Sequence, residues 1–276
     1  NIMSTNKPTG VDTYNATIER IESVADGLSI FFIRPDAPIP GRQPGHYISI
    51  GLVEPDGEKL VRRPYSLSQS LGSGIDPDLL ELLIIRVPEG DLTPLLFDQG
   101  EGDRLFVRPK MVGTYLLPEL RPDMTMILAS TGTGVAPHMT MLETCMKTCK
   151  QIVMMECVRY GAELAYAGQI REFQKTHPNL AYISLITREG NPKRYIQDYF
   201  RDGILENEHG VTITPETTHV FACGNPAMIG IPKEDRKTGE LSYETPGGLV
   251  EILTSRYGLA IHKARRPGQI HFEKYW

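Results

Sequence analysis

The sequence of 276 residues contains no run of 18 apolar residues, only one tryptophan and only four cysteines. A membrane-spanning helix needs about 20 consecutive apolar residues, so we expect none. No basic segment leads into an apolar run at the N-terminus, and a secretory signal is therefore not expected. The net charge of −5 gives no overall attraction to nucleic acid or to an anionic membrane, and we predict neither as a partner.

The cysteines also exclude some cofactors. None of them forms a C-x-x-C pair, and no cysteine-rich spacing for an iron–sulfur cluster occurs. Cys145 and Cys149 would share one helix face and could be two metal ligands, but no nearby histidine or cysteine completes a site. We interpret them as small buried residues and predict no metal. Such a set of cysteines fits a reducing cytoplasm best.

Two patterns divide the chain. Residues 1–118 contain short runs rich in β-branched and aromatic residues, separated by glycine and proline turns, which predicts an antiparallel β-barrel. Residues 119–276 alternate apolar strand segments with helical segments, which predicts a doubly wound α/β domain with a parallel sheet. Residues 231–246 are polar and charged, and we predict a surface excursion there.

The segment Arg63-Pro64-Tyr65-Ser66 places a cation, an aromatic ring and a hydroxyl within a few residues. An arginine can bind a phosphate through two hydrogen bonds, and a residue two positions further along a strand lies on the same face. Arg63 and Tyr65 are therefore suited to a flavin phosphate and a flavin ring, with Ser66 at the reactive edge of the flavin. A strand with one exposed arginine and one core tyrosine is the alternative interpretation.

A second segment, Gly90-Asp91-Leu92-Thr93-Pro94, predicts a helix start with Asp91 as the N-cap and Pro94 in the first turn. Free backbone N–H groups at a helix start favour an anion, and Thr93 could add a hydroxyl to a flavin pyrophosphate. A capped helix without a ligand is the alternative interpretation.

The segment Thr131-Gly132-Thr133-Gly134 follows a continuous apolar run and precedes a helical segment. Glycine lets the backbone approach a phosphate closely, and the N-terminus of a helix favours the negative charge. We predict that this turn binds the pyrophosphate of a nucleotide, although a strand-to-helix turn without a ligand could have the same residues.

Three arginines, Arg159, Arg188 and Arg194, each lie at or beyond the end of a predicted strand. Ligands of doubly wound sheets bind at the carboxyl ends of the strands, so these arginines are suited to the 2′-phosphate of NADP. Cys223 ends another predicted strand. We predict that it packs against a nicotinamide and is not a catalytic thiolate, because no base stands beside it in sequence. Solvated loop arginines and an inert core cysteine are the alternatives.

With these segments in this order, the chain resembles the ferredoxin–NADP(H) reductases, and most closely the bacterial type that also reduces flavodoxin. The resemblance covers most of the chain. Its further motifs are Lys110-Met111-Val112-Gly113-Thr114, Cys223-Gly224-Asn225-Pro226-Ala227-Met228, Arg265-Arg266-Pro267-Gly268 and a tail that ends in Tyr275-Trp276. The insertion at residues 231–246 departs from the family pattern and leaves partner contacts there open.

The resemblance implies an FAD-binding antiparallel barrel in residues 1–118 and an NADP(H)-binding α/β domain in residues 119–276, whose tail returns to the FAD. It implies hydride transfer between NADP(H) and FAD N5, coupled to one-electron exchange with ferredoxin or flavodoxin. The residues expected at the FAD are Arg63, Pro64, Tyr65, Ser66, Thr93, Gly113, Thr114, Phe272 and Trp276. Those expected at the NADP are Thr131, Gly132, Thr133, Gly134, Arg159, Arg188 and Arg194, and those expected at the reacting centre are Ser66, Cys223 and Glu273.

Two other functions compete with this one. A NAD(P)H-dependent reductase component that feeds an oxygenase often carries a fused iron–sulfur domain. A non-catalytic flavoprotein subunit that relays electrons often adds a cysteine cluster near its C-terminus. This sequence contains neither cluster, so we favour the ferredoxin or flavodoxin reductase. The physiological carrier, the direction of flux and the oligomeric state do not follow from the sequence.

Overall fold

The structure is a computed structural model, and it describes residues 13–57, 59–72, 74, 76–190, 192–235 and 237–275. The chain forms two compact units, which meet in sequence between Leu116 and Leu117. The predicted assignment of one cofactor to residues 1–118 and the other to residues 119–276 stays a prediction. Within the described ranges, no helix combines the length and the apolar composition that crossing a membrane requires.

The first unit is an antiparallel barrel. Its elements are β1 (Ala16–Ala25), β2 (Leu28–Pro35), β3 (Tyr47–Val53), β4 (Leu60–Ser66), β5 (Leu80–Ile85), α1 (Thr93–Phe97) and β6 (Arg104–Val107). The strands are hydrogen-bonded in the order β4–β3–β6–β1–β2–β5. Beyond the end of β4, Ser68 N–H donates to Glu81 O of β5 at 2.8 Å, which joins the two outer strands. The predicted antiparallel barrel is confirmed.

Strand β4 did not stand out in the sequence as an apolar run, because Arg62, Arg63 and Pro64 occupy its centre. It forms because all seven of its residues pair with β3. Pro64 has no N–H to donate to a neighbouring strand. β4 tolerates the missing donor because it is one of the two outer strands of the sheet order. The strand has Val61 buried in the barrel core and its two arginines at the surface.

The second unit is a doubly wound α/β domain. Its main elements are β7 (Thr125–Thr131), α2 (Val135–Thr148), β8 (Gln151–Val158), α3 (Ala167–Thr176), β9 (Leu180–Ile186), α4 (Ile196–Arg201), α5 (Ile204–His209), β10 (Thr218–Gly224), α6 (Pro226–Ile229), β11 (Pro232–Glu234), β12 (Leu241–Tyr243), α7 (Leu249–Tyr257) and β13 (Ile270–Lys274). Five strands form a parallel sheet in the order β13–β10–β7–β8–β9. The predicted fold class is confirmed.

The strand order creates a crevice between β7 and β10. From β7 the chain continues outward to β8 and β9, whereas from β10 it continues in the opposite direction to β13. The connections therefore diverge at the carboxyl ends of two neighbouring strands. In open α/β sheets, ligands bind at such a switch point. The Thr131–Gly134 turn follows β7 and the Cys223–Met228 motif ends β10, so both predicted motifs lie at this crevice.

The segment 231–246, which was predicted to be a surface excursion, has regular structure in its described part. It contains the antiparallel hairpin of β11 and β12. Leu241 and Tyr243 of β12 pack against the core of the second unit, and the Tyr243 hydroxyl lies 3.0 Å from the Thr254 hydroxyl. Two apolar residues that alternate with polar ones are a weak signal within a charged segment, and the hairpin was therefore missed.

Glu156 is a carboxyl group buried inside the second unit. It lies on β8 between Ser130 of β7 and Ser184 of β9, and none of its surface is exposed. The Tyr182 hydroxyl donates to Glu156 Oε2 at 2.7 Å, whereas Oε1 has no hydrogen-bond partner within the described part of the chain. Burial raises the pKa of Glu156 to about 7, although the Tyr182 hydroxyl and the charge of Arg171 oppose this shift.

We predict that Glu156→Gln stabilises the protein at pH 8 and not at pH 5. The pKa of Glu156 is raised from 4.5 to about 7 in the folded protein, so between these values the folded state keeps a proton that the unfolded chain has lost. Stability therefore falls as pH rises through this window, by roughly 2–3 kcal/mol. Glutamine stays neutral and keeps an oxygen for Tyr182. Urea unfolding at the two pH values measures the difference.

Glu172→Gln is the matched control, because Glu172 is an exposed carboxylate that pairs with Lys175 on α3. It should change the free energy of unfolding by less than about 0.5 kcal/mol at either pH. An equal gain for Glu156→Gln at both pH values would contradict a proton held by Glu156 near neutrality.

Candidate functional site

Arg63 and Tyr65 lie two residues apart on β4, and their side chains therefore share one face of the strand. The Arg63 guanidinium is exposed and forms an ion pair with the Asp91 carboxylate, while Arg63 Nη1 donates to Arg62 O at 2.9 Å. The ion pair brings the Arg63-Pro64-Tyr65-Ser66 segment and the loop before α1 together. The Arg63 guanidinium, which is suited to binding a phosphate, therefore lies at the surface, and the Asp91 carboxylate balances its charge.

Tyr65 is half-buried and packs against the apolar core of the barrel. Burial raises the pKa of Tyr65 to about 12, although the charge of Arg63 opposes the shift. The phenol is therefore neutral at physiological pH. One part of the Tyr65 ring packs in the barrel core, and the rest is accessible. This geometry fits a tyrosine that contacts a flavin ring, and it also fits a core tyrosine without a ligand.

Ser66 ends β4 beside the first residue of β3. Tyr47 pairs with Ser66 on one side, and on the other it exchanges backbone hydrogen bonds of 2.8 and 3.1 Å with Val112. Gly113 and Thr114 follow Val112 directly. Two segments that were predicted to contact the same flavin are therefore held on either side of Tyr47.

Helix α1 begins at Thr93, with Leu92 as its N-cap, so the predicted cap at Asp91 is wrong. The Asp91 carboxylate pairs with Arg63 instead of with the helix start. The Thr93 hydroxyl is buried, accepts from Val87 N–H at 2.9 Å and donates to Val87 O at 3.0 Å. The Thr93 side chain therefore joins the start of α1 to the segment that follows β5. Its contact with a flavin stays a prediction.

In the second unit, the two loops at the crevice touch through their backbones. A Cβ added at Gly134 would overlap the carbonyl group of Cys223, with the carbonyl carbon at 2.7 Å. A Cβ added at Gly224 would lie 2.6 Å from Thr131 O. The Thr131 hydroxyl accepts from Asn225 N–H at 2.7 Å. Glycine at both positions is therefore needed for the loops to approach each other.

The Gly132 position shows that the predicted pyrophosphate turn has the expected shape. Its φ is +53°, and no atom lies within 4 Å of a Cβ built there. The backbone on this side is open, and the 14-residue helix α2 begins directly after Gly134. An open glycine turn in front of a helix N-terminus fits an anionic group. Its occupation by a pyrophosphate stays a prediction.

Cys223 is fully buried at the carboxyl end of β10, between Ser130 of β7 and Glu273 of β13. Burial raises the pKa of its thiol well above the usual range, and the charge of Glu273 adds to this, whereas a hydrogen bond with Tyr275 opposes it. Cys223 is therefore a neutral thiol at physiological pH. This agrees with the expectation that it is no thiolate, and its contact with a nicotinamide stays a prediction.

The structure brings Arg159 and Arg188 together at the ends of β8 and β9. Arg188 N–H donates to Arg159 O at 2.9 Å, and the Arg188 guanidinium lies over the Tyr160 ring at 5.9 Å. Glu163 binds Arg159 Nε and Nη2 at 3.1 and 2.7 Å. Arg194 is exposed, and within the described part of the chain its side chain has no hydrogen bond or ion pair.

Sequence reasoning missed Glu163 and the exposed rings of Tyr160 and Tyr195. Glu163 also accepts from the backbone N–H groups of Arg159 and Tyr160, at 2.9 and 3.2 Å. Although burial raises the pKa of Glu163, these hydrogen bonds and the charge of Arg159 lower it overall. No local pattern signalled Glu163, because Arg159 follows the end of β8 and Glu163 ends a short turn at residues 161–163, so the two residues do not share a helix.

The C-terminal segment forms the edge strand β13 and had been expected only as a tail returning to the FAD. Phe272 lies opposite Ala222 and packs against the core of the second unit, and Glu273 lies opposite Cys223. Phe272 thus buries apolar surface against the sheet. Trp276 lies outside the described residues, and the FAD contacts of Phe272 and Trp276 stay predictions.

Comparisons with known proteins identify the family of the chain. Residues 128–234 match the family model of the oxidoreductase NAD-binding domain. The ferredoxin–NADP reductase of Pseudomonas aeruginosa is 31% identical over 229 residues, covering 78% of this chain and 86% of that protein. The flavodoxin/ferredoxin–NADP reductase of Escherichia coli is 30% identical over 224 residues, covering 79% of this chain and 87% of that protein. The chain belongs to the flavodoxin/ferredoxin–NADP reductase family.

A solved structure shows the same fold. The ferredoxin NADP+ reductase of Neisseria gonorrhoeae, crystallised with bound FAD and NADP, has a TM-score of 0.76 and 22% identity, covering 95% of this chain and 98% of that chain. The sequence similarity to the two reductases above confirms the family resemblance inferred from the motifs. In this reductase family member, the region that the family model matches includes the Thr131–Gly134 turn and β10, which border the crevice.

We predict that Gly134→Ala destabilises the protein by roughly 1–3 kcal/mol, because the added methyl group must displace the Cys223 carbonyl or its own loop. Gly168→Ala on α3 is the matched control, since nothing lies within 4 Å of its Cβ position. It should be neutral or more stable by up to about 1 kcal/mol. Thermal unfolding of both variants measures this. Equal melting temperatures for Gly134→Ala and the parent would refute the close approach of the two loops.

Proposed function

We propose that this chain is itself a ferredoxin (flavodoxin)–NADP(+) reductase that binds one FAD and uses NADP(H). The observation that supports this most strongly is the similarity to reductases of that name over more than three quarters of the chain. FAD, when bound, exchanges a hydride with the nicotinamide and single electrons with a ferredoxin or flavodoxin. The protein supplies binding, orientation and electrostatics for this exchange.

The residues of the first unit fit an FAD. Arg63 offers a guanidinium to the pyrophosphate, Tyr65 offers an aromatic face, and Ser66 offers a hydroxyl at the end of β4. Pro64, Gly113 and Thr114 shape the same end of the barrel. To bind a phosphate, Arg63 exchanges Asp91 for the ligand or shares its donors between both, because a guanidinium has five N–H groups.

The residues of the second unit fit NADP(H). The Gly132 turn and the start of α2 receive the pyrophosphate, and Arg159 and Arg188 receive the 2′-phosphate. Glu163 engages Nε and Nη2 of Arg159, which leaves Nη1 for the ligand. Arg194 and the exposed ring of Tyr195 extend the same edge beyond β9. The neutral thiol of Cys223 and the Glu273 carboxylate position the nicotinamide.

The partner of the enzyme in this proposal is a ferredoxin or a flavodoxin. A cytoplasmic location belongs to the same proposal and is supported by the cysteines, since all four are free thiols. An oxygenase-feeding reductase is not favoured, because no iron–sulfur cysteine cluster occurs in the sequence.

The purified protein is expected to carry non-covalent FAD, and Arg63→Ala should weaken its retention. One charge-assisted hydrogen bond to a phosphate contributes roughly 1.5–3 kcal/mol, which is about a 10- to 100-fold loss of affinity. Fluorescence titration of the flavin-free protein measures the affinity. Arg20→Ala, which removes an exposed cation paired with Glu22, is the control. Release of FMN by the denatured protein would contradict the assignment.

The reductase is expected to prefer NADPH over NADH because of its arginines at the strand ends. Arg159→Ala and Arg188→Ala should each raise KM for NADPH about tenfold or more and leave KM for NADH within about twofold. Steady-state reduction of a dye measures both values. Arg121→Ala, near the amino end of β7, is the control and should change neither value. Equal losses with both nucleotides would mean that these arginines do not bind the 2′-phosphate.

A further inference from the structure

Three histidines meet at one edge of the parallel sheet, near the amino ends of its strands. His219 is the second residue of β10, His271 is the second residue of β13, and His262 lies in the segment between α7 and β13. His271 is almost fully buried, whereas His219 and His262 are half-buried. We call these three residues the histidine cluster. The candidate cofactor sites do not include it.

The rings of the histidine cluster contact one another directly. His219 Nδ1 lies 3.1 Å from His271 Nε2, which is a hydrogen-bond distance. The His262 ring stacks on the His271 ring with 4.4 Å between the ring centres, and the Phe221 ring stacks on the His271 ring at 4.2 Å. His271 therefore joins β13 both to β10 and to the segment that precedes β13.

The hydrogen bond between His219 and His271 requires that at least one of the two rings stays neutral. One nitrogen has to accept, and a charged imidazolium ring carries N–H groups on both nitrogens and cannot accept. If both rings bound a proton, two N–H groups would face each other at 3.1 Å. The contact would then change from attraction to repulsion between two cations.

The surroundings of the histidine cluster do not compensate such charges. Among the described residues, none of the three histidines forms an ion pair. The charges that act on His219 are those of Arg121 and His262, and both oppose protonation. Arg121 itself pairs with the Asp123 carboxylate. Within the described part of the chain, no three histidine, cysteine, aspartate or glutamate side chains are placed to hold a metal ion, including those of this cluster.

The neutral histidine cluster contributes stability that depends on pH. Burial lowers the pKa of His219 from 6.5 to about 4, and the charges of Arg121 and His262 add to this shift. Burial also lowers the pKa of His271 from 6.5 to about 3, and the charges of His262 and His219 add to it. The folded state therefore excludes protons that the unfolded chain binds. This stability is fully present above pH 6.5 and is lost as the pH falls from 6.5 towards 4.

Strand β13 is the element that depends most on these contacts. It is an outer strand of the described sheet and pairs there only with β10, so it can separate without breaking another strand pair. Its Ile270 O accepts from His262 N–H at 2.8 Å, which binds the preceding segment to the same strand. The histidine cluster therefore lies beside both connections of β13. Segments at the edge of a fold open locally at a lower free energy than its interior.

We propose that the histidine cluster is a pH-sensitive contact whose protonation in mild acid releases β13 from β10 while the rest of the second unit stays folded. The proposal rests on no part of the proposed function. Release would separate Glu273 from Cys223, which lie opposite each other, and would withdraw Phe272 from the core. Proton uptake near the amino ends of these strands would thus alter the carboxyl end of β10.

The test is a short pulse of amide hydrogen exchange on the full chain after equilibration at pH values from 8 to 4. Exchange of each segment is normalised to the unfolded chain at the same pH. In the parent, residues 270–274 should lose protection at a pH at least about one unit above that at which β8, inside the sheet, loses it. The double variant His219→Gln with His271→Phe keeps the ring stack but removes both buried imidazoles. It should move the midpoint of 270–274 down by about one pH unit or more.

His177→Phe is the matched control, because His177 stacks on Phe173 beside α3, with 5.4 Å between the ring centres, outside the histidine cluster. It should leave the midpoint of 270–274 unchanged. His262→Phe keeps the stack on His271 and removes one charge, so it should move the midpoint down by a smaller amount and serves if the double variant does not fold. Simultaneous loss of protection in β8 and residues 270–274 of the parent would overturn the proposal. So would an unshifted midpoint in the folded variants of the cluster.

Discussion

The close contact between the ends of β7 and β10 is the constraint on which the second unit depends. Gly134 lies against the carbonyl of Cys223, Gly224 lies against Thr131, and the Thr131 hydroxyl accepts from Asn225 N–H. Because no Cβ fits at Gly134 or Gly224 without a shift of the facing backbone, the contact between the two loops requires glycine at both positions. This contact fixes the geometry of the open Gly132 turn, the start of α2 and the end of β10. A ligand that binds there loses little free energy to the ordering of these segments.

The charged residues of both candidate sites follow a second rule, in which a carboxylate of the protein holds a cation in place before a ligand arrives. Asp91 pairs with Arg63 in the first unit, and Glu163 pairs with Arg159 in the second. The Arg63–Asp91 pair contributes little to stability because both of its side chains are exposed. Both pairs limit the rotamers of the long arginine side chains and leave N–H donors free for the predicted phosphates.

Local patterns in the sequence predicted the fold class and most elements, because buried strands and helices carry their own periodicity. The missed or misjudged parts depend on contacts between distant residues. β4 forms through pairing with β3 despite its arginines, Asp91 leaves the helix start for Arg63, and the C-terminal strand forms only beside β10. The candidate arginines were found from their place after strands, whereas Glu163 required the loop geometry that the structure shows.

Burial lowers the negative charge of two ionisable groups near the carboxyl ends of the sheet, because it raises the pKa of both. Cys223 is a neutral thiol, and Glu156, opposite Ser130 and three residues before Arg159, has a pKa near neutrality. While Glu156 holds its proton, the nearby charges include those of Arg171 and of Arg159 with its partner Glu163. Ionisation of Glu156 would place a negative charge beneath the candidate nucleotide site, where little solvent screens it. The same buried carboxyl thus links the stability of the sheet and the electrostatics of the candidate nucleotide site to pH.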